Sequence, residues 1–316
     1  MTEQTSHAAG QATATTESTS LVSGDQPAPE RPRSLASDGW AELRRKPTFW
    51  FAVGLIVLFT VMAIVPGLFT RTGPGEVFDV RRTPSGEHWF GTDGQGYDIY
   101  ARTIYGARAS MIVGLAATII TALVGSLVGI VAAYTGGWLD SLISRLTDVF
   151  FAIPLLLGGI LFLSAFPNTQ STPYLMVVGK VVLVLGVLGW PSLARLMRGS
   201  VLQVKPQEYV QAARALGAGP VRIIRKHIIP NALAPVLVVS TINLGVFIVA
   251  EASMSFLGIG LVPPAVSWGV AIDEAVDVVR VRPHMLFFPA AFLSLCVLSF
   301  IMLGDALRDA FDPKSR

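Results

Sequence analysis

Residues 205–231 read KPQEYVQAARALGAGPVRIIRKHIIPN and form the only long polar, basic segment in the second half of an otherwise apolar sequence. The prolines and glycines of this segment predict two short helices. Pro206 suits the first turn of a helix, where no N–H is needed, and Gly217 suits the position just past the end. Pro220 is expected to open the second helix and Pro230 to close it, because a proline ring is not tolerated in a helix interior.

The first of these helices carries a face made mostly of small apolar residues. Helical spacing places four residues on it: Tyr209, Ala212, Ala213 and Leu216. A short helix with such a face can enter a groove on another protein at close range. An ordinary hairpin between membrane spans is the simpler alternative. A DNA-reading helix-turn-helix is disfavoured, because membrane-length helices flank the segment closely.

Composition places the chain among membrane proteins. Charged residues make up 14% of the sequence, whereas they make up about a quarter of ordinary soluble proteins. Apolar residues make up 52% and mean hydropathy is +0.58, so one aqueous fold cannot bury all of the apolar surface. The formal charge of +3 gives no reason to expect nucleic acid as a partner. One cysteine and four scattered histidines predict neither a disulfide framework nor a metal site.

The apolar runs predict an all-α, multi-pass membrane protein with about six transmembrane helices, since roughly 20 residues cross a bilayer. Most of the 24 Lys and Arg residues lie on the side of residues 205–231, which predicts that both termini are cytoplasmic. Residues 1–38 lack large apolar side chains and are predicted to be a disordered cytoplasmic tail, followed by a membrane domain at 39–316. The predicted spans are residues 48–68, 111–134, 147–165, 174–196, 233–257 and 284–304, with a cytoplasmic loop at 198–231.

The fifth predicted span carries polar residues along one helical stripe. The stripe consists of Ser240, Asn243, Phe247, Glu251 and Met254. Polar groups within a span are costly in hydrocarbon and usually face protein or water. We therefore predict that the stripe faces a translocation path, where the Glu251 carboxylate would attract a cationic group such as a peptide ammonium. The alternative for Glu251 is that it reaches the membrane interface or pairs within the helix bundle.

Other residues of the spans predict local features. Gly125 and Gly129 have the GxxxG spacing that lets helices approach closely, either within this subunit or with a partner. Pro154 can kink the third span. Asp148, one turn after Arg145, predicts a local ion pair.

The opening segment resembles the EAA loop of ABC-importer membrane subunits, in which Glu-Ala-Ala is followed by three residues, a glycine and a later proline. The matching residues are Gln211, Ala212, Ala213, Gly217 and Pro230, with Gln in place of Glu at the first position. In that family the loop docks in a cleft of a separate ATPase subunit. The resemblance implies a coupling role for Glu208, Gln211, Ala212, Ala213, Arg214, Gly217 and Pro230.

A second motif lies between the first two predicted spans. Gly91, Thr92 and Asp93, followed by Asp98 and Arg102, resemble the GTD-containing external segment of the C-type membrane subunit of dipeptide and oligopeptide permeases. The usual Arg before Asp98 is replaced by tyrosine. Read from residue types alone, the two carboxylates are instead a weak candidate for a cation site.

The resemblance implies a type I ABC importer permease architecture in a bacterial cytoplasmic membrane. The expected partners are a homologous B-type permease subunit, ATPase subunits, an extracytoplasmic substrate-binding protein and membrane lipid. The chain lacks the GxxxxGK[ST] phosphate-binding motif. We therefore expect no catalytic residue and no cofactor in this chain, with ATP and Mg²⁺ on the partner ATPase subunits and alternating access as the mechanism.

Other classes of transporter and receptor remain alternatives. Relatives of this architecture also carry nickel, glutathione or haem. A proton- or ion-coupled secondary transporter would need no ATPase, and a membrane scaffold or receptor would move no solute.

Overall fold

The structure is a computed structural model and describes residues 35–169 and 171–311. Residues 1–34 of the predicted disordered tail lie outside this described part. The predicted boundary at residue 38 is too late, because the first helix begins at Leu35. That helix is stabilised by burial of Leu43 in a cluster with Ala306 and Ala310 from the end of the chain.

The described part of the chain is helical, and it contains no β-strand beyond two isolated bridges. Five helices are long and apolar enough to span a membrane, and the number is six when one pair of shorter helices bent against each other is counted as one span. The predicted number was about six. The helices are α1 Leu35–Leu43, α2 Pro47–Ile64, α3 Ile99–Thr135, α4 Gly137–Phe151, α5 Leu155–Ala165, α6 Tyr174–Val204, α7 Glu208–Ala215, α8 Pro220–Ile223, α9 Ile229–Phe256, α10 Trp268–Val276 and α11 Pro283–Phe311.

Several helices extend beyond the predicted spans, because hydropathy marks only the part that lies in hydrocarbon. The predicted second span begins at residue 111, whereas α3 begins at Ile99. Asp98 caps that helix by accepting a hydrogen bond from the backbone N–H of Ala101 at 2.8 Å. At the other side of the membrane, α6 continues to Val204 and α11 to Phe311.

The third predicted span is broken rather than continuous. Helices α4 and α5 meet at 79°, and Pro154 lies directly before α5. The predicted kink at Pro154 is therefore present as a full break. At 1.5 Å per residue α5 alone is about 17 Å long, shorter than the roughly 30 Å of hydrocarbon. Most of α4 was not predicted, because its amphipathic sequence falls outside the apolar run.

The prediction that Pro230 closes a helix is wrong. The chain passes from α8 through one π-helical turn, Ile224–Ile228, into α9 without interruption. Pro230 lies in the first turn of α9, where a missing N–H costs little. The π-helical turn is the local adjustment that lets a proline follow a helical segment directly.

The core is built where α3, α6 and α9 pack together. A Cβ added at Gly129 would lie 2.5 Å from the carbonyl oxygen of Ala194, and one at Gly125 would lie 2.8 Å from that of Trp190. The GxxxG pair therefore serves packing of α3 on α6 within this subunit, one of the two predicted alternatives.

The two ends of the described chain lie on the same side of the bundle. The start of α2 and the end of α11 share an apolar cluster that includes Phe49 and Ala306. Lys46 also pairs with Asp309 at 3.1 Å. An even number of spans requires this arrangement; that the shared side is cytoplasmic stays a prediction.

Candidate coupling and translocation sites

The predicted coupling segment forms a helical hairpin between α6 and α9. Helix α7 ends at Ala215, and Gly217 reverses the chain with a φ of 82°, a conformation that favours glycine. Helix α8 then begins at Pro220, as predicted. Two predicted features of this hairpin fail: Pro230 does not close a helix, and Pro206 lies in the turn before the N-cap Gln207 rather than in the first turn of α7.

The hairpin presents apolar side chains away from the bundle. Leu216 is 89% exposed and Val221 is 68% exposed. Tyr209 and Ala212, from the predicted small-residue face, are also exposed, and Ala213 is partly buried. A projecting leucine beside small residues gives a surface that fits a groove on another protein.

Polar contacts anchor the root of the hairpin to the bundle. The ammonium group of Lys205 donates to the carbonyl oxygens of Ala133 and Tyr134 at the end of α3, at 3.0 and 2.8 Å. The side-chain amide of Gln211 donates to the Lys205 carbonyl at 3.0 Å. A glutamate at this position would lack that donor. The glutamine that replaces the Glu of Glu-Ala-Ala therefore ties α7 to the end of α6.

Glu251, on the predicted path stripe, is fully buried between helices. Its carboxylate accepts hydrogen bonds from the hydroxyls of Ser110 on α3 and Ser255 on α9, each at 2.8 Å. Met254 is buried as well, and Ser240 nearly so. In this conformation Glu251 therefore follows the alternative of bonding within the bundle, because its oxygens meet hydroxyls rather than an open cleft.

Two other stripe residues, Asn243 and Phe247, border an open cleft. This cleft has a volume of about 320 Å³ and lies at the break between α4 and α5. Pro154 lines it from that break, and Pro191 lines it from α6. Pro191 lies inside α6, where its ring cannot donate the usual helical hydrogen bond, and Pro154 lies at the start of α5.

The external GTD motif is held by a buried charge network. The Arg102 guanidinium contacts Asp93 at 2.9 Å and Glu274 of α10 at 2.7 Å. Burial raises the pKa of the Glu274 carboxyl above its usual value, and the charge of Arg102 opposes that rise. Gly91 adopts a φ of 78° beside the backbone of Arg82, where a side chain would collide. The network fixes α10 against the start of α3.

Asp93 and Asp98 do not converge on a cation site. Asp98 caps α3 and contacts the His88 ring at 2.7 Å, whereas Asp93 holds a turn through the N–H groups of Gln95 and Tyr97. Thr92 accepts the Arg82 N–H and donates to a backbone carbonyl. Within the described residues no group of three or more metal-ligating side chains is found.

Comparison with known proteins identifies the family. A family model described as "Binding-protein-dependent transport system inner membrane component" matches residues 125–316. The chain belongs to this family.

Individual family members match nearly the full chain. It is 37% identical to the oligopeptide transport system permease protein OppC of Bacillus subtilis, over 90% of this chain and 91% of that protein. It is 38% identical to the dipeptide transport system permease protein DppC of the same organism, over 90% and 87%. The glutathione transport system permease protein GsiD of Escherichia coli is 35% identical over 90% and 93%.

Solved structures confirm the fold. An inward-facing structure of the MetNI methionine ABC transporter matches with a TM-score of 0.53 at 20% identity, over 66% of this chain and 96% of that one. The type I permease architecture predicted from the sequence is therefore confirmed. The chain is a multi-pass member of the binding-protein-dependent permease family.

Sequence reasoning missed α10 as an element of this permease. Trp268 is fully buried and its indole N–H donates to the Thr103 carbonyl at 2.9 Å. Glu274, on the same helix, reaches Arg102 across 172 residues of sequence. The available signal is Ser267, a serine N-cap directly before the tryptophan, but Pro263 and Pro264 just before it favour a loop.

Proposed function

We propose that this chain is one of two membrane subunits of an ATP-driven importer for di- and oligopeptides. The observation that carries the proposal is the hairpin of α7 and α8, which projects Leu216 and Val221 outward from a root fixed to α3. Membership of the binding-protein-dependent family supports an ATPase and a substrate-binding protein as partners. The peptide substrate rests on two relatives above 35% identity that are named for oligopeptide and dipeptide transport.

The hairpin is suited to transmit movement to the spans. It follows α6 directly and enters α9 through the π-helical turn, so displacement of α7 acts on two core helices at once. Lys205 connects the same root to α3. ATP would shift the complex from one conformation to the other because it binds the partner ATPase more tightly in one of them. ATP and Mg²⁺ are assigned to the partner, because this chain lacks a phosphate-binding motif.

The translocation path is assigned to the cleft beside the α4–α5 break. Asn243 and Phe247 border it, and its lining residues carry no charged side chain. A neutral wall whose polar side chains are the amide of Asn243 and the hydroxyl of Ser192 can pass peptides of varied side chains, because it makes few strong contacts. Glu251 is assigned a supporting role behind this wall, since its carboxylate is occupied by serine hydroxyls.

The test is uptake by the reconstituted complex. The full chain, its partner permease, ATPase subunits and binding protein are placed in liposomes with labelled di- and oligopeptides. We expect peptide uptake that requires both internal ATP and the binding protein. Uptake restricted to glutathione or nickel would overturn the peptide assignment, and uptake driven by a proton gradient without ATP would overturn the importer class.

A further inference from the structure

A second cavity lies between α3, α4 and α6 near their cytoplasmic ends. Its volume is about 200 Å³, and neither the proposed path nor the coupling hairpin uses it. Its polar lining comes from two helices: Ser144, Thr147 and Asp148 on α4, and Arg195 and Arg198 on α6. A cavity with this lining suits a small, charged, hydrogen-bonding ligand.

The charged side chains around this cavity form two ion pairs between α4 and α6. Arg198 binds Asp140 through two hydrogen bonds of 2.6 and 2.7 Å. Arg195 contacts Asp148 through a single hydrogen bond of 2.8 Å, and both side chains are more than half exposed. The predicted local pair of Asp148 with Arg145 is thus replaced by a pair between helices.

The Arg195–Asp148 pair keeps capacity for a ligand. The Arg195 guanidinium also stacks on the ring of Phe151, 4.2 Å from its centroid, but stacking leaves the N–H groups at its edge available. A guanidinium has five N–H donors and a carboxylate about four acceptor positions, so one hydrogen bond leaves both groups with unused capacity. A positive and a negative group side by side, with no net charge, complement a zwitterion. They do not favour a purely anionic ligand.

Two helices independently place the cavity at the cytoplasmic edge of the hydrocarbon. Arg108 marks the outer edge on α3, because it donates to backbone carbonyls at the end of α2. At 1.5 Å per residue Gly129, in the cavity wall, lies about 32 Å further along α3. Arg195 lies about 32 Å along α6 from Tyr174, and hydrocarbon is about 30 Å thick. Phospholipid headgroups occupy this level.

The outer face of α4 is mostly apolar, with Arg145 exposed at its edge. Trp138, Leu142, Leu146 and Val149 are all exposed and recur at spacings that place them on one side of the helix. Asp140, Ser144 and Asp148 lie on the opposite side, toward α6. Such an amphipathic helix, bent by 79° from α5, suits the plane of the membrane interface. In the single chain both the apolar face and the mouth of the cavity are uncovered.

We propose that this cavity binds the phosphoethanolamine headgroup of one phospholipid in the cytoplasmic leaflet. The phosphate lies on the guanidinium of Arg195 and the ammonium on the carboxylate of Asp148. Ser144 and Thr147 offer hydroxyls to the same headgroup. Basic pockets between spans on the cytoplasmic side bind anionic headgroups, and here the carboxylate of Asp148 beside Arg195 changes the preference to a zwitterion. The bound headgroup bridges α4 and α6.

The test measures which lipids stay with the protein. The intact complex is reconstituted in nanodiscs with equal phosphatidylethanolamine and phosphatidylglycerol, returned to mild detergent and analysed by native mass spectrometry. The variants are Arg195→Gln and Asp148→Asn, and Lys180→Gln at the outer end of α6 is the matched control. The Asp148 variant keeps the fold, because exposed ion pairs contribute only about 0–1 kcal/mol.

Wild type and the Lys180 control are expected to retain one phosphatidylethanolamine. Arg195→Gln should reduce this retention about tenfold, the effect of losing one charge-assisted hydrogen bond. Asp148→Asn should abolish the preference over phosphatidylglycerol. Equal retention of both lipids by wild type, or binding of inorganic phosphate alone, would overturn the proposal. Disulfide crosslinking of Leu142→Cys to the partner permease would also overturn it, because protein would then cover α4.

Discussion

Replacing Arg102 with methionine should destabilise the folded chain by several kcal/mol. The side chains of Arg102 and Asp93 are 7% and 8% exposed, and that of Glu274 is 18% exposed. Methionine leaves two carboxylates without their shared cation. Breaking a buried ion pair by removing one partner costs about 3–5 kcal/mol. The residual exposure of Glu274 places the expected loss at the lower end of that range.

The assay is equilibrium unfolding of the purified chain in mixed micelles, followed by tryptophan fluorescence. The signal sums six tryptophans, and Trp268 contributes to it from α10, where its indole is buried against α3 in the element that Arg102 holds. The matched control is Arg82→Met in the same external segment. Arg82 pairs with Asp79, but both side chains are well exposed, so the expected loss is about 0–1 kcal/mol.

A double-mutant cycle separates the interaction energy between Arg102 and Glu274 from the general cost of losing an arginine. Glu274→Gln alone should cost less than Arg102→Met, because Arg102 still has Asp93 as a partner. The two substitutions together should cost less than their sum. Additive effects, or an Arg102→Met loss no larger than that of Arg82→Met, would refute the account of the external motif.

Three further predictions concern the core and the hairpin. Gly129→Leu should lower the free energy of unfolding by about 3 kcal/mol, because the larger side chain overpacks α3 on α6. Gly199→Leu, which faces open space, should change that free energy little. Similar losses for the two variants would contradict the packing of α3 on α6. Glu251→Ala should lower the free energy of unfolding by about 2 kcal/mol or more, because the hydroxyls of Ser110 and Ser255 lose their acceptor. Glu251→Gln should lower it less, because the amide oxygen still accepts. Equal losses would argue against these hydrogen bonds. Gln211→Glu should speed amide hydrogen exchange in α7, because the donor to Lys205 is lost; unchanged exchange would show that this bond is unimportant.

The spans were predictable because the membrane imposes a length and a hydropathy on each of them. The break before α5 was only partly predictable. Pro154 indicated a kink, but the orientation of α4 depends on its ion pairs with α6, and Asp148 had a nearer candidate partner in Arg145. Helical spacing gives the neighbours within one helix and gives no information on which helix lies opposite.

The candidate sites show the same division between local and distant contacts. The hairpin turn at Gly217 follows from local backbone preference and was predicted. Pro230 was misread, because a proline suits both the position after one helix and the first turn of the next. Ser110, one partner of Glu251, lies 141 residues away, and Glu274, one partner of Arg102, lies 172 residues away. Sequence patterns therefore identify Glu251 and Arg102 as costly polar groups without placing them.

The central claim is that the α7–α8 hairpin docks on an ATPase subunit. The most direct measurement is disulfide crosslinking of Leu216→Cys to cysteines in the groove of co-expressed ATPase subunits, with and without ATP. The native Cys296 can remain, because it is fully buried, and Val77→Cys on the external side is the control. We predict a crosslink at Leu216 whose yield changes with ATP, and none at Val77. Failure of Leu216→Cys to crosslink with any ATPase, while it stays open to small thiol reagents, would contradict the docking claim.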